Sequence, residues 1–263
     1  MTNPAFEVPE ENYRPTRKER KSARKAQRAK SNVVHIHQSN PLELELIKPK
    51  TENQRKTFRE YSNGKNLLLH GVPGSGKTFI SLYLALNELM NKTSDFQKVV
   101  IIRSAQSSKG IGFLPGTAKQ KMEVYETPYS TICSKLFSRS DAYQVLKNKG
   151  TIEFESTSFL RGTTIDDAII IIDEAQNLSY QELKTVLTRV GDKSKIIICG
   201  DVNQDDLTSA RFNEESGLKS VMKILENMPS VSKIDFEIED IVRSGFVRQF
   251  IIAEMESWKQ KTS

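Results

Sequence analysis

Residues 71–78 read Gly71-Val72-Pro73-Gly74-Ser75-Gly76-Lys77-Thr78, and they lie between an apolar run at Leu67–Leu69 and a segment of helical spacing at Phe79–Met90. The pattern GxxxxGK[ST] between a strand and a helix is typical of a phosphate-binding loop. Its glycines let backbone N–H groups converge on phosphate oxygens, and the following helix directs its positive dipole end at the same anion. We therefore predict that all eight residues hold a nucleotide, with Lys77 on its outer phosphates and Thr78 on a Mg²⁺ ion.

Further apolar runs follow this loop at intervals that leave room for helices. They lie at Val99–Ile102, Ile152–Phe154, Ala168–Ile172, Ile196–Cys199 and Val231–Phe236. Continuous apolar strands separated by helical segments are typical of a parallel sheet that is covered on both faces. We predict a doubly wound, mostly parallel α/β domain over residues 51–263, with a mostly helical insertion at about residues 104–150.

Two carboxylates, Asp173 and Glu174, come directly after the apolar run Ala168–Ile172. In an open parallel sheet the carboxyl ends of the strands border the ligand crevice, so both acids are expected to reach the nucleotide. Asp173 is suited to holding Mg²⁺ through water, and Glu174 is suited to polarising an attacking water molecule. This second carboxylate favours hydrolysis over the transfer of phosphate to another substrate.

Polar and cationic residues after the other runs complete the candidate site. Gln204 follows the run Ile196–Cys199 and is a candidate sensor of the γ-phosphate. Charge that develops on this phosphate during transfer needs a cation. Arg243 is the preferred candidate, acting in its own subunit or across a subunit boundary, and Arg103 and Arg161 are alternatives.

Three aromatic residues of the predicted insertion, Tyr125, Tyr129 and Phe137, have two interpretations. Exposed aromatic rings can stack on the bases of a single strand. Packing inside the domain is the commoner use of such residues, and we favour it here.

The net charge of +6 is concentrated near the start of the chain. Nine basic residues and one acid lie between Arg14 and Lys30, so the remainder of the chain has a net charge of −2. Few large apolar residues and several prolines predict that residues 1–50 form a mobile basic extension. Such an extension is either a solvated tail or an arm that binds the phosphates of a nucleic acid.

The sequence also bears on the location of the protein. No apolar run approaches the roughly 18 residues of a membrane span. The first thirty residues lack the apolar stretch of a secretory signal, and two cysteines, Cys133 and Cys199, suit a reducing compartment. We expect a soluble protein of the cytoplasm that has no membrane partner.

The order of the motifs resembles the PhoH family, which is related to the ATPase core of superfamily 1 helicases. The likeness runs from Thr51 to Trp258. Its motifs are Glu52-Asn53-Gln54, the loop Gly71–Thr78, Gly112-Phe113-Leu114-Pro115-Gly116, Phe159-Leu160-Arg161-Gly162-Thr163-Thr164, Asp173-Glu174-Ala175-Gln176-Asn177, Leu187-Thr188-Arg189, Gly200-Asp201 with Gln204 and Asp205, and Asp240-Ile241-Val242-Arg243. One departure is Arg103-Ser104-Ala105, where the family has Thr-Arg-Pro, and it puts a nucleic-acid contact at that point in doubt.

The resemblance implies a single RecA-like P-loop NTPase domain that uses ATP with Mg²⁺. It implies Gln54 as a contact to adenine, single-stranded RNA or DNA as a partner, and assembly into homo-oligomers. The basic stretch at residues 14–30 matches no motif of the family. A compact core with this extension would suit a bacteriophage-encoded member, which would act in the host cytoplasm.

Three functions are open at this point. The first is an ATPase that couples hydrolysis to binding or remodelling of single-stranded nucleic acid. The second is an ATP-gated oligomeric nucleic-acid-binding protein with little turnover. The third is a small-molecule kinase, which Glu174 and Gln204 disfavour. The chain has room for one α/β core, so a partner subunit would have to supply the second face of a helicase-like site.

Overall fold

A computed structural model describes residues 42–104, 118–157, 164–202 and 217–261. Every element named below belongs to one unit of the chain, Glu43–Ser263. The predictions that concern the basic stretch at 14–30, Arg161 and Gln204 fall outside the described residues.

Among the described residues, six strands form one sheet, and all of their pairings are parallel. The strands are β1 (Asn66–Gly71), β2 (Lys98–Arg103), β3 (Ile152–Ser156), β4 (Ala168–Ile172), β5 (Lys195–Gly200) and β6 (Val231–Phe236). Their order is β3-β2-β4-β5-β1-β6. Every residue of β4 is buried, as the continuous apolar run predicts for a strand that is covered on both faces. The predicted doubly wound parallel α/β fold is confirmed.

Helices connect the strands. They are α1 (Glu52–Ser62), α2 (Lys77–Leu89), α3 (Ala118–Leu136), α4 (Ala142–Asn148), α5 (Tyr180–Leu187), α6 (Gly217–Leu225) and α7 (Gly245–Lys261). Residues 43–50 have no helix or strand, yet the backbone N–H of Glu45 donates to the carbonyl of Leu136 at 2.8 Å. Among the described elements, no helix is both long enough and apolar enough to cross a bilayer.

The strand order determines which loops meet. β4, β5 and β1 are neighbours in the sheet, so the loops that follow them emerge side by side at its carboxyl edge. The loop after β1 is the glycine loop, and the chain after β4 carries Asp173 and Glu174. Helices α3 and α4 lie in the connection from β2 to the edge strand β3, within the segment that the sequence predicts to be a helical insertion.

Two apolar clusters hold this edge in place. The larger one packs residues of β4 and β5, such as Ile170 and Ile198, against Leu183 of α5 and Leu218 of α6. A smaller one joins Val72 of the glycine loop to Ile241 and to Ile251 of α7. The last helix is therefore packed against the glycine loop.

Candidate functional site

The glycine loop has a backbone conformation that side chains would obstruct. Gly71 and Gly74 have φ values of 121° and 75°, in the left-handed region that favours glycine. A Cβ on Gly71 would lie 2.0 Å from the carbonyl oxygen of Phe236, and one on Gly74 would lie 2.8 Å from Cγ of Arg243. The loop thus lies closely against β6 and the chain that follows it, and α2 begins at its end, as the motif predicts.

Lys77, the first residue of α2, folds back over the glycine loop. Its Nζ donates to the carbonyl oxygens of Gly71 at 2.6 Å and Val72 at 2.8 Å. Burial lowers the pKa of Lys77, although nearby acidic groups such as Asp201 and Glu174 act in the opposite direction. A buried ammonium ion with carbonyl partners gains electrostatic free energy when an anion replaces them. The loop and its lysine therefore fit a phosphate group.

Asp173 is buried, with 3% of its surface exposed, at the end of β4. Its two carboxylate oxygens have different partners: Oδ1 accepts from the hydroxyl of Thr78 at 2.8 Å, and Oδ2 accepts from the hydroxyl of Tyr129 at 2.8 Å. Burial and then the charge of Glu174 raise the pKa of Asp173, and the two hydroxyl donors oppose this rise. The structure therefore brings together the two residues that the sequence predicts to hold Mg²⁺.

The described residues contain no group of three or more His, Cys, Asp or Glu that could hold a metal ion by themselves. Magnesium sites in phosphate-transfer proteins commonly use one or two protein ligands, together with water and the phosphates of the substrate. A hydroxyl and a carboxylate that already touch, as Thr78 and Asp173 do, fit this kind of site.

Glu174 has an unusual backbone for a residue that is not glycine, with φ 51° and ψ 45°. Its Oε2 accepts from Nε2 of Gln176 at 2.6 Å. The amide oxygen of Gln176 in turn accepts from the backbone N–H of Asp201 at 3.1 Å, beyond the end of β5. Gln176 thus bridges the ends of two neighbouring strands and holds Glu174 beside Asp173.

Tyr129 is a part of this cluster that sequence reasoning did not assign to it, whereas Arg103 was an alternative candidate for the cation of the site. Tyr129 is 1% exposed and packs against the ring of Phe154 with 5.6 Å between the centroids, so the packing interpretation of this residue is confirmed. The guanidinium of Arg103 lies 5.9 Å from the ring centroid of Tyr125, which is one turn before Tyr129 on α3. Burial alone would lower the pKa of Arg103, but Tyr129, Asp173 and Glu174 together raise it. The position of Arg103 at the end of β2 was a sequence signal for this placement, whereas Tyr129 had none.

Gln54 lies against the other side of the glycine loop. Its Nε2 donates to the carbonyl oxygen of Ser75 at 3.0 Å, and its Oε1 accepts from the backbone N–H of Lys50 at 2.7 Å. The hydroxyl of Ser75 donates to the carbonyl oxygen of Val72 at 2.9 Å. Gln54 is therefore next to the predicted nucleotide site, and its contact to adenine stays a prediction.

Arg243 also lies at the loop, in the segment that leads from β6 to α7. The backbone N–H of Val242 donates to the carbonyl oxygen of Gly74 at 3.1 Å, and the Arg243 side chain is exposed. Buried Asp240 fixes this segment to α1, because its Oδ2 accepts from Nδ2 of Asn53 at 2.7 Å. The predicted catalytic roles of Arg243 and of Gln204, which is outside the described residues, stay predictions.

A family model described as PhoH-like protein matches residues 46–255. This chain belongs to the PhoH family. PhoH-like proteins of Mycobacterium leprae and Bacillus subtilis are 32% and 33% identical to the chain, over 80% and 79% of its length and 59% and 63% of theirs. The protein PhoH of Escherichia coli is 30% identical over 79% of the chain and 58% of its own length. The chain thus spans less than two thirds of these relatives.

Solved structures that match part of the chain include two helicases. The helicase domain of Hef from Pyrococcus furiosus has a TM-score of 0.38 and 12% sequence identity to this chain. The match covers 71% of this chain and 39% of the Hef chain. Pif1 helicase from Candida albicans has a TM-score of 0.30 and 15% identity, over 72% and 40%. Similarity at this level carries no argument about activity.

Proposed function

We propose that this PhoH-family protein binds ATP with Mg²⁺ and hydrolyses it, and that hydrolysis is coupled to binding or remodelling of single-stranded RNA or DNA. The observation that supports this best is the 2.8 Å hydrogen bond from Thr78 in the first turn of α2 to Asp173 at the end of β4. It joins the phosphate-binding loop to the acid pair, and Glu174 is the next residue in the chain. A loop that only bound phosphate would not need two adjacent carboxylates there.

Each side chain of the site then has a defined role. Mg²⁺, held by Thr78 and Asp173, would withdraw charge from the phosphate oxygens. Lys77 would exchange its loop carbonyls for the outer phosphates of ATP, and Glu174 would accept a proton from the attacking water. Arg243 would offset the negative charge that develops on the γ-phosphate.

Two further residues complete the proposed site. Gln204 would report the presence of the γ-phosphate, since a neutral amide can hydrogen-bond to that group without competing for the metal. Gln54 would contact adenine from the side of α1, where its amide already lies against Ser75.

Coupling to nucleic acid is supported by the nine basic residues between Arg14 and Lys30, because phosphate backbones attract such a run without sequence preference. Assembly into homo-oligomers is supported by the first turns of α7, where Phe246 and Phe250 are 79% and 58% exposed. Large exposed apolar side chains that cluster on one surface are typical of a subunit contact. Arg243 precedes them, so a second copy on this surface would lie next to the nucleotide.

The same exposed side chains favour a second candidate function, an ATP-gated oligomer that binds nucleic acid with little turnover. In that case the nucleotide would control assembly, and hydrolysis at Asp173 and Glu174 would be slow. A small-molecule kinase is the weakest candidate. Two adjacent carboxylates are already explained by hydrolysis, in which water is the phosphate acceptor, so a second substrate is not needed to account for them.

We also propose that the protein acts in the cytoplasm. Cys133 and Cys199 are both buried and free. Buried thiols that are not joined in a disulfide suit a reducing compartment.

The test is phosphate release from ATP by the full chain, with and without single-stranded RNA and DNA, with the mass followed by light scattering. We expect turnover that requires Mg²⁺, rises with one of the two single strands and is lost in Lys77→Ala. Turnover that is indifferent to every nucleic acid would exclude the coupling. An ATP-dependent increase in mass with negligible turnover would instead support the gated oligomer, and phosphate transfer to a metabolite would support the kinase.

A further inference from the structure

Tyr129 belongs to α3, outside every motif of the proposed site, yet it contacts the predicted metal ligand. We propose that Tyr129 is a positioning residue that orients the carboxylate of Asp173 for the Mg²⁺ that accompanies the nucleotide. This inference rests on the proposed function, because it concerns the orientation of a ligand in that same site. Helix α3 would then contribute, through Tyr129, to metal binding beside the phosphate loop.

The two oxygens of the Asp173 carboxylate have different hydrogen-bond donors. Thr78 donates to Oδ1 of Asp173 and Tyr129 donates to Oδ2, both at 2.8 Å. Hydrogen bonds to a charged carboxylate are about twice as strong as those between neutral groups. One donor on each oxygen fixes the rotation of the carboxylate about its Cβ–Cγ bond.

The charge of Arg103 supports this arrangement. Its guanidinium, at the end of the neighbouring strand β2, acts electrostatically on both Tyr129 and Asp173. Attraction to this cation favours the ionised carboxylate, which accepts hydrogen bonds more strongly than a neutral one. The single proton of the phenol is donated to Asp173.

The side chain of Tyr129 is itself held rigidly. Its ring packs against Phe154 of β3, and it is almost completely buried. The guanidinium of Arg103 lies 5.9 Å from the ring centroid of Tyr125, one turn earlier on α3. The packed ring of Tyr129 therefore holds its hydroxyl in one position, and Arg103 lies against the preceding turn of α3.

The consequence appears when the metal binds. If the hydroxyl of Thr78 turns to Mg²⁺, it gives up its bond to Oδ1, and Tyr129 is then the donor that still holds Asp173. Groups that orient metal ligands without touching the metal typically change metal affinity or activity by about 10- to 100-fold when they are removed. A phenylalanine at position 129 would keep the ring packing and lose only the donor.

The experiment compares Tyr129→Phe with the matched control Tyr143→Phe in the full chain. Tyr143 lies in α4, is buried, and donates to Oε2 of Glu126 on α3 at 2.7 Å, so the control removes a similar buried hydroxyl from the same pair of helices. ATP turnover is measured against Mg²⁺ concentration, and affinity for a fluorescent ATP analogue is measured in EDTA. Thermal melting reports the stability of each variant.

We expect Tyr129→Phe to raise the Mg²⁺ concentration for half-maximal turnover by about 10-fold and to leave nucleotide affinity in EDTA unchanged. Tyr143→Phe should lower the melting temperature to a similar extent without moving the Mg²⁺ dependence. Arg103→Gln, at a half-buried position, is the second variant, and it should shift the Mg²⁺ dependence in the same direction by a smaller factor.

Equal Mg²⁺ dependence in wild type, Tyr129→Phe and Arg103→Gln would overturn the inference and leave the proposed ATPase intact. An equal shift in Tyr143→Phe would also overturn it, because the effect would then be a general loss of helix packing. If the wild-type protein binds the analogue but does not hydrolyse ATP, the Mg²⁺ dependence of analogue binding is compared among the variants instead of turnover. Failure of the wild type to bind any nucleotide would instead contradict the proposed function itself.

Discussion

The glycine loop has two flanks that differ in burial and in partners. On one side lies the acid flank, formed by Asp173, Glu174 and Tyr129, whose side chains are wholly or largely buried and hydrogen-bonded to neighbouring elements. On the other side lies the C-terminal flank, residues 237–251, where Arg243 is exposed and Phe246 and Phe250 are largely exposed.

This difference indicates which part of the site is preorganised before the nucleotide binds. Groups that are fixed before the substrate arrives stabilise a transition state without reorganisation, and the acid flank has this property. The C-terminal flank is joined to the rest of the domain through the Asn53–Asp240 hydrogen bond and the small cluster around Val72. It presents an exposed cation, Arg243, and exposed apolar side chains, so we expect nucleotide-dependent assembly to act there.

The largest effect is expected on the acid flank, from Glu174→Gln. The amide can still accept a hydrogen bond from Gln176, but it cannot take a proton from water. We predict that turnover falls by about 10³-fold, the middle of the range for a general base, while ATP affinity is kept. Phosphate release in single-turnover assays and nucleotide binding measure the two quantities separately.

The same variant bears on the alternative function. If the nucleotide controls assembly, Glu174→Gln should accumulate an assembled, ATP-loaded form in light scattering, with undiminished affinity for nucleic acid. Assembly that is the same with and without nucleotide would contradict the gated oligomer.

On the C-terminal flank, Arg243→Ala should lower turnover by about 100-fold, because a cation near the γ-phosphate is lost. Its matched control is Arg248→Ala, an exposed arginine of α7, which we expect to behave like wild type. Both variants should melt like wild type, since both side chains are exposed. Equal turnover in the two variants would remove Arg243 from the site.

A smaller effect is expected from Phe246→Ser, which removes an exposed ring from the C-terminal flank. If this ring is buried between copies, its loss should weaken self-association by about 10-fold, as judged from the free energy of burying a phenylalanine. The matched control is Ile224→Ser, at an exposed apolar residue of α6. Sedimentation at several concentrations distinguishes the two, and an equal response would show that the C-terminal flank is not the contact.

The smallest effect concerns the attachment of the C-terminal flank. Asn53→Ala removes the donor to buried Asp240 and should lower the free energy of unfolding by about 1 kcal/mol, or roughly 2 to 4 °C in melting temperature. Asn227→Ala, which loses an exposed bond to the carbonyl oxygen of Lys223, should have no measurable effect. A null result for Asn53→Ala would mean that the small apolar cluster alone holds this flank.

Prediction from the sequence succeeded where the signal was local. Each of the apolar runs lies in a strand, and the glycine loop stands between β1 and α2, because strand burial and loop geometry depend on neighbouring residues. The placement of Asp173 beside Thr78 was predictable as well, since parallel strands end at the same edge.

The partners of these residues were not predictable in the same way. Tyr129 is 44 residues from Asp173 in the chain, and nothing in the spacing of α3 distinguishes a tyrosine that packs from one that also donates to a carboxylate. The attachment of Asn53 to Asp240 spans 187 residues and depends on how α1 crosses the end of β6. Side-chain contacts at such separations follow from the packing of whole elements.

The sequence by itself determined that this protein has a phosphate-binding loop, an acid pair after a buried strand and a parallel α/β sheet. These features are encoded by glycine positions and by apolar periodicity, which act over a few residues. Only the tertiary structure decided that Asp173 is buried behind Tyr129 while Arg243 is left exposed. The order of the strands and the packing of α3 and α7 set those environments, and both depend on contacts between distant parts of the chain.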